Sequence, residues 1–279
     1  MDVHLFKHWF FLPKVYKPQD IASAVMLEKM IALVERAGGI VQERLFVVKP
    51  GCMILAESQI TPEAQGVFDC FNVDTSRPQY EQLAEWNSRL TYLSFPKEKK
   101  SADAFNKRMA REFQHLSVHA PWTVTFLLAG VCVETSHELC AHGEARVARL
   151  TTSKTKAMNA TLYRIQGTPE ERECQKAYIR QQLTTREQFE QAHQPRATEN
   201  GNELWNMTNC GSKATVLTYT MSLKDFHKFF IGRLNPAGNE LEVQETCRLM
   251  CERLHDRYPL VIRTPDEYMG VNNGEKYRS

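Results

Sequence analysis

The sequence lacks the features that mark disulfide-stapled, membrane-spanning and secreted proteins. Its eight cysteines include no Cys-x-x-Cys pair, so we predict reduced core thiols and not a disulfide framework. No apolar run reaches the roughly 18 residues needed to cross a bilayer. Lys7 and His8 interrupt the short apolar stretch at the N-terminus, which is not a signal-peptide layout. We therefore expect a soluble, cytoplasmic protein.

The common catalytic motifs are also missing. There is no glycine-rich phosphate loop, no Gly-x-Ser-x-Gly elbow and no recognisable Cys/His pair, so the chain offers no candidate for a covalent nucleophile. The segment from His137 to His142 resembles the zinc motif His-Glu-x-x-His but has one residue too many. On a helix, histidines five apart point about 140° away from each other. His137 and Cys140, three apart, could share a metal only with a ligand from elsewhere.

Composition and charge indicate a globular protein without a general affinity for nucleic acid. Hydrophobic residues make up 42% and charged residues 24% of the 279 residues, which allows one large or two modest folded domains. The net charge of +2 is too small for a broad nucleic-acid-binding field, so a polyanion would need a local patch. Such a basic patch lies between Arg146 and Lys156.

Residues 122–133 form a run so rich in β-branched and aromatic residues that we predict a strand covered on both faces. Polar groups flank this strand at both ends and would be held rigidly. Residues 137–150 after it are predicted to be amphipathic, with Arg146 and Arg149 three apart on one helical face. We expect a reaction centre among these flanking groups, which are His115, Ser117 and His119 before the strand, and Glu138, His142, Glu144, Arg146 and Arg149 after it.

Further elements are predicted on each side of this region. The first 80 or so residues suggest a small α+β layer, with a helix from Asp20 to Gly38 and strands over residues 40–48 and 53–57. Thr168-Pro169-Glu170-Glu171 is typical of a helix start. Residues 213–221 are predicted to be a strand, and two helices follow it. We expect Ser222 with Asp225, and Asn239 with Glu242, to cap these two helices.

Several of these residues match, in order and approximate spacing, the signature regions of one enzyme family. The first region has the turn His115-x-Ser117 and His119, then Thr125-Phe126 in the strand, His142 in the following segment, and Leu150-Thr151. The second has Ser222-Leu223-x-x-Phe226, Arg233 and Leu241-Glu242-Val243-Gln244. Over roughly residues 87–260 the chain resembles the flavin-dependent thymidylate synthases, in which a "His-x-Ser/Thr" turn, a "Thr-Phe" strand and an "Arg-His-Arg-x-x-Ser" motif occur in this order.

The match departs from the family pattern at positions that carry charge. Ala141 and Gly143 stand where the family has arginines around the motif histidine, and Arg146 stands at the serine position. The later "Ser-x-Arg-Tyr" element is reduced to Thr151-Thr152-Ser153-Lys154. The departures affect the residues that would hold a nucleotide.

The resemblance implies an α+β fold like that of the family, with an additional N-terminal α+β segment. We predict an N-terminal segment over residues 1–86, a thymidylate synthase-like domain over residues 87–263, and a polar tail over residues 264–279. It also implies a homo-oligomer, a tetramer by the family's example, whose sites form between subunits.

The resemblance implies a C5-methyltransferase of nucleotide biosynthesis that acts on a uracil nucleotide. FAD would be the cofactor, with reduced folate and NADPH as co-substrates, and no side chain would act as a catalytic nucleophile. His115, Ser117 and His142 would contact the flavin. The nucleotide contacts would be Glu138, Arg146, Arg149, Thr151, Ser153, Lys154 and Arg233. The alternative is a non-catalytic relative that binds a nucleotide or a protein partner, which the loss of the paired arginines favours.

The residues alone also permit plainer roles. Ser222 and Glu242 are explained as helix caps, and His115 and His119 could satisfy backbone groups or solvent. Arg146 and Arg149 are most simply a solvated basic edge of a helix.

Overall fold

The computed structural model describes residues 18–150, 162–193, 212–235 and 240–270. Helices are α1 (Pro18–Arg36), α2 (Pro62–Cys70), α3 (Gln79–Tyr92), α4 (Asp103–Lys107), α5 (Val133–Cys140), α6 (Pro169–His193), α7 (Leu223–Arg233), α8 (Leu241–Arg257) and α9 (Pro265–Gly270). A π-helical turn (Arg108–Glu112) continues α4, and a 3₁₀ turn (Leu116–His119) precedes the central strand. Across these ranges no helix combines the length and the apolar character that crossing a membrane requires.

The central sheet is antiparallel and has the strand order β3 (Gly51–Glu57), β4 (Thr123–Cys132), β7 (Ala214–Ser222) and β5 (Arg146–Arg149). The ladder between β4 and β7 shifts register near Gly130, which has φ +86. A Cβ atom at this position would lie only 2.8 Å from Cγ1 of Val47. Glycine therefore permits both the bulge and the close packing against Val47.

Alternate side chains of β4 enter two different cores, as its uninterrupted apolar run predicts. Phe126 and Leu128 pack on the side of α7 and α8, where the largest core cluster lies. Leu127 and Ala129 face the opposite side and pack against α1. The prediction of a strand covered on both faces is confirmed.

A small second sheet contains β1 (Ile40–Gln42), β2 (Phe46–Lys49) and β6 (Tyr163–Arg164). The prediction of one strand over residues 40–48 is wrong, because Glu43 and Arg44 both have φ of 50 and turn the chain back. Such left-handed pairs form the tight turns of hairpins. Helix α6 covers this sheet through a separate apolar cluster that includes Phe46 and Ile179.

The N-terminal residues share the central sheet with the rest of the chain. Strand β3 pairs with β4 from Gly51 opposite Ala129 to Glu57 opposite Val124. The predicted boundary at residue 86 falls within α3. Strand β3 therefore belongs to the same sheet as β4, β7 and β5. That residues 1–86 are an addition to the family fold stays a prediction.

Two of the predicted helix caps are confirmed. Thr168 and Glu171 form a reciprocal capping box, in which each backbone N–H donates to the other side chain, at 2.7 and 3.3 Å. The hydroxyl of Ser222 accepts from the N–H of Asp225 at 3.1 Å at the start of α7. Both pairs satisfy N–H groups that the helix itself leaves without partners.

The helix start predicted at Asn239 differs from the structure, in which Glu240 is the N-cap residue of α8 and has no side-chain cap hydrogen bond. Glu242 is only 4% exposed, and its Oε1 accepts the N–H of Cys132 at 2.7 Å. The same oxygen lies 3.4 Å from Nε of the buried Arg164. Its predicted partner, Asn239, lies outside the described residues. Glu242 thus connects α8 to the end of β4. A buried carboxylate is stable only with strong hydrogen-bond or ionic partners, and Cys132 and Arg164 provide them.

Two buried histidines lie on the side of the sheet covered by α7. His119 is 2% exposed, and among the described residues neither of its ring nitrogens has a hydrogen-bond partner. Nδ1 of His227 lies 2.7 Å from the hydroxyl of Tyr268. Burial, and then the neighbouring His227, lowers the pKa of His119 to about 4. Burial, and then Arg263, lowers the pKa of His227 to about 4.

We predict that these histidines make the protein sensitive to acid. In the unfolded chain a histidine has a pKa near 6.5, so between pH 6.5 and 4 the unfolded state binds more protons, and stability falls as the pH drops through this range. At about 1.4 kcal/mol per pH unit, the loss is about 3 kcal/mol for each histidine by pH 4. Urea unfolding from pH 7 to 4 measures it.

The matched variants are His119→Leu and, as a control on an exposed position of α5, His137→Gln. In His119→Leu, the unfolding free energy should fall less steeply as the pH is lowered. The difference in slope should correspond to one bound proton. An unchanged slope in His119→Leu would contradict the assignment of this acid sensitivity to His119.

Candidate functional site

His115 immediately precedes the 3₁₀ turn before β4, and Ser117 lies on it. Both are exposed, and the ring of His115 packs edge-on against Phe113, with 6.0 Å between the ring centroids. Asn87 of α3 donates a hydrogen bond to the carbonyl of Val118 at 3.0 Å. The hydrogen bond from Asn87 therefore holds the backbone of the turn, while the imidazole of His115 and the hydroxyl of Ser117 are exposed to solvent.

His142, the third predicted flavin contact, follows α5, which leads the chain back along the sheet. Four residues after His142, Arg146 pairs with Thr220 of β7, and Thr220 pairs with Thr125 near the start of β4. The segment that contains His142 therefore returns toward the end of β4 at which His115 and Ser117 lie.

The predicted site residues that follow β4 in the sequence form a cluster around α5. Nε of Arg233, at the end of α7, donates to Nε2 of His142 at 2.8 Å. Nη1 of Arg233 lies 3.4 Å from the carboxylate of Glu138. Phe229, one turn earlier on α7, packs edge-on against the imidazole at 4.7 Å. Three of the predicted residues, His142, Glu138 and Arg233, are thus brought together.

The contact with Arg233 determines the state of His142. Because the guanidinium only donates, Nε2 of His142 must be unprotonated, so the neutral ring carries its proton on Nδ1. Burial, and then the charge of Arg233, lowers the pKa of His142. His142 is therefore a neutral imidazole at physiological pH, with one nitrogen already engaged by a cation.

Arg149 approaches the same helix from β5. Its Nη1 donates to Oγ of Ser136 at 2.9 Å, and Ser136 in turn donates to the carbonyl of Val133 at 2.6 Å. Arg149 pairs in register with Leu217, a residue of the main core, which places its side chain on the face of the sheet covered by α5 and α7. Two guanidiniums, Arg149 and Arg233, therefore flank α5.

The prediction that Arg146 and Arg149 share one helical face is wrong. Residues 146–149 form strand β5, whose burial alternates between exposed and half-buried positions. On a strand, residues three apart point to opposite faces. Arg146 is exposed on the face away from α5, whereas Arg149 reaches Ser136. Thr151, Ser153 and Lys154 lie outside the described residues.

Sequence reasoning missed two members of this arrangement. Ser136 is buried within α5, and no motif indicated that its hydroxyl meets an arginine from β5. Glu242 was assigned to a cap, although it holds the backbone of Cys132, the residue that precedes α5. The spacing of residues on one element cannot reveal partners that only the sheet and helix packing bring together.

The arrangement suits an anion better than covalent chemistry. Arginine forks bind phosphate and carboxylate oxygens through paired charge-assisted hydrogen bonds. Glu138 is 50% exposed and Arg233 24% exposed, so their ion pair is partly open to water and contributes at most about 1 kcal/mol. An anion of higher charge can therefore compete with Glu138 for Arg233.

The chain shares its fold with two kinds of solved enzyme. No protein-family model and no curated protein sequence matches the chain. Among solved structures, it is similar to thymidylate synthase X from Helicobacter pylori with FAD and dUMP, with a TM-score of 0.56 and 13% identity. The match covers 78% of this chain and 98% of that protein.

A second similar structure is the UMP/dUMP methylase PolB from Streptomyces cacaoi bound with 5-Br UMP, with a TM-score of 0.53 and 10% identity. This match covers 78% of this chain and 93% of the methylase. The fold predicted from the sequence resemblance is confirmed. At these sequence identities the likeness concerns the fold alone.

We predict that the charge of Arg233 holds the pKa of His142 down. Arg233→Gln removes the charge and keeps an amide donor, so the pKa of His142 should rise toward its ordinary value. A pH titration of the His142 ring protons by NMR measures this change. Arg248→Gln, an exposed arginine of α8, serves as the control and should leave the value unchanged. An equal His142 pKa in wild type and Arg233→Gln would refute the contact.

Proposed function

We propose that this chain is a diverged flavin-dependent enzyme that transfers a one-carbon unit to C5 of a uracil nucleotide. The observation that carries the proposal is the cluster around α5, in which Arg149 and Arg233 flank a helix and Arg233 holds a neutral His142. This cluster lies on a fold shared with a thymidylate synthase and a UMP/dUMP methylase.

The two arginines are suited to the phosphate of the nucleotide. A nucleotide monophosphate carries close to two negative charges, and each hydrogen bond to an ionised group contributes about 1.5–3 kcal/mol. Arg149 and Arg233 already point at the same helix from two different elements. We also propose nucleotide contacts from Arg146, Thr151, Ser153 and Lys154. Arg146 lies on the other face of β5, so it would act in a different part of the oligomer.

The cofactor would be FAD, held by the turn before β4 and by the segment that follows α5. His115 and Ser117 offer an exposed imidazole and hydroxyl on a supported turn, and His142 offers a ring oriented by Arg233. The family resemblance implies sites formed between subunits, so we propose a homo-oligomer, with a tetramer as the expected form. In it, the turn of one copy and the α5 cluster of another would share a flavin.

The protein's contribution would be positioning and electrostatics. When bound, reduced flavin would supply the hydride, and a folate would supply the one-carbon unit. The chain's own side chains would hold the nucleotide phosphate through arginines, orient the pyrimidine beside Glu138, and exclude water. This fits a site without a nucleophile, because the hard chemistry belongs to the cofactor.

The alternative is a relative that binds a nucleotide or a protein partner without catalysis. The observation that favours it is the pair Ala141 and Gly143 on either side of His142, which offers no guanidinium at the positions where the family has arginines. Binding of FAD separates the two proposals, since only the enzyme requires the flavin.

We predict non-covalent binding of FAD. Purified protein should show flavin absorbance or should shift the absorbance of added FAD, and His142→Ala should weaken this binding at least tenfold. His137→Ala, an exposed histidine of α5, is the matched control. Lack of any flavin signal in wild type, with and without added FAD, would favour the non-catalytic relative.

We predict that Arg149 contributes to phosphate binding. Arg149→Ala should weaken the binding of dUMP about tenfold or more, because a loss of about 1.4 kcal/mol corresponds to a factor of ten. The loss for deoxyuridine should be smaller, since it has no phosphate. Calorimetric titration of wild type, Arg149→Ala and the control Arg248→Ala with both ligands provides the measurement. Equal losses for both ligands would show that Arg149 acts on the fold and not on the phosphate.

A further inference from the structure

A row of alternating cations and rings runs from the end of α3 along α4 to the turn before β4. The guanidinium of Arg89 lies over the ring of Phe105, 4.4 Å from its centroid. The guanidinium of Arg108 lies over the ring of Phe113 at 5.8 Å, and Phe113 contacts His115 at 6.0 Å. Phe105 and Arg108 are three residues apart where α4 continues into its π-helical turn, so they share a face. These contacts make the row continuous.

The rings at both ends of the row are open to solvent. Tyr92, three residues after Arg89 on α3, is 70% exposed, and Phe113 is 56% exposed. Leu93, with φ 48, ends α3 directly after Tyr92, and the N–H of Ser94 donates to the carbonyl of Arg89 at 3.0 Å. This helix end fixes the backbone that carries the ring. Both rings therefore offer a face on which a planar group can stack.

The surface along the row carries an excess of positive charge. Residues 89–115 contain seven Lys or Arg against three Asp or Glu, whereas the whole chain has a net charge of only +2. Salt bridges occupy Arg89, with Glu85, and Lys99, with Asp69. Four further cations are exposed and take part in no salt bridge within the part of the chain that the structure describes: Lys97, Lys100, Lys107 and Arg108. These four are available to anionic groups.

We propose that this row binds single-stranded nucleic acid. Unpaired bases stack on exposed rings, and phosphates of the same strand pair with the lysines and arginines beside them. An acidic peptide matches the cations alone, because its carboxylates do not stack on Tyr92 and Phe113. In a duplex the bases are stacked on each other and are closed to these rings.

The row supplies the local patch that a chain of small net charge needs in order to hold a polyanion. It uses none of the residues of the α5 cluster. The proposal therefore does not depend on the flavin chemistry or on the nucleotide site.

The test is fluorescence anisotropy of a labelled oligothymidylate of about 20 nucleotides, longer than a typical single binding site, titrated with the full chain. The single strand should bind with a Kd on the order of 1–100 μM at physiological salt and more tightly at low salt. A duplex of the same length should bind more weakly. A surface that recognises charge alone would prefer the duplex, because its phosphates are more closely spaced along the axis.

Substitutions separate stacking from charge. Phe113→Ala and Tyr92→Ala should each weaken binding of the single strand about fivefold or more, which is the usual effect of removing a ring that stacks on a base. Phe113→Trp should retain the binding. Tyr178→Ala removes a ring of α6 that is 57% exposed, and as the matched control it should bind as the wild type does. Arg108→Ala should weaken binding and lower its salt dependence by about one phosphate contact.

Three results would overturn the proposal. The first is the absence of saturable binding of the single strand to the wild type at low salt. The second is a duplex that binds as tightly as the single strand, together with unchanged binding by Phe113→Ala and Tyr92→Ala, since the row would then be a surface for any polyanion, an acidic protein included. The third is loss of binding in Arg149→Ala but not in Phe113→Ala, because the strand would then occupy the α5 cluster.

Discussion

A buried arginine, Arg164, connects the small sheet, α8 and the end of β4. It is 3% exposed, and its Nη1 donates to the carbonyls of Val47 and Val48 at 3.1 and 2.6 Å. Its other nitrogens face two carboxylates of α8, Glu242 at 3.4 Å and Glu245. Burial raises the pKa of Glu245 despite this arginine, which shows how costly the desolvated charges are. Removal of one partner from such a cluster typically costs about 3–5 kcal/mol.

The candidate site depends on this cluster through one hydrogen bond. Glu242 accepts the N–H of Cys132, and Sγ of Cys132 accepts the N–H of Thr135 at 3.4 Å as the cap of α5. Burial and the adjacent Glu242 raise the pKa of Cys132 to about 12, so its thiol caps the helix in the neutral form. The start of α5 is thereby fixed, and with it the positions from which Glu138 and His142 meet Arg233. The buried ion cluster orients the site without contacting it.

The parts of the fold that local patterns determine could be predicted from the sequence. The strand over residues 122–133 was evident from its apolar run, and the starts of α6 and α7 from Thr168 and Ser222. The strand over residues 146–149 could not be predicted, because it is short and polar, and only pairing with β7 makes it a strand. That error placed Arg146 beside Arg149. Glu242 was misassigned for a related reason: its partners, Cys132 and Arg164, are distant in sequence, and a local cap was the nearest explanation.

The central claim is that the turn with His115 from one copy and the α5 cluster with His142 from another form one flavin site. The most direct measurement is complementation between two variants, His115→Ala and His142→Ala, co-expressed with different affinity tags and purified through both tags. Each variant alone should bind FAD weakly. A mixed oligomer should recover tight binding at a fraction of its sites, because some interfaces pair the two intact ends. Mixed oligomers that bind FAD no better than either parent, or tight binding by a monomer, would contradict the account.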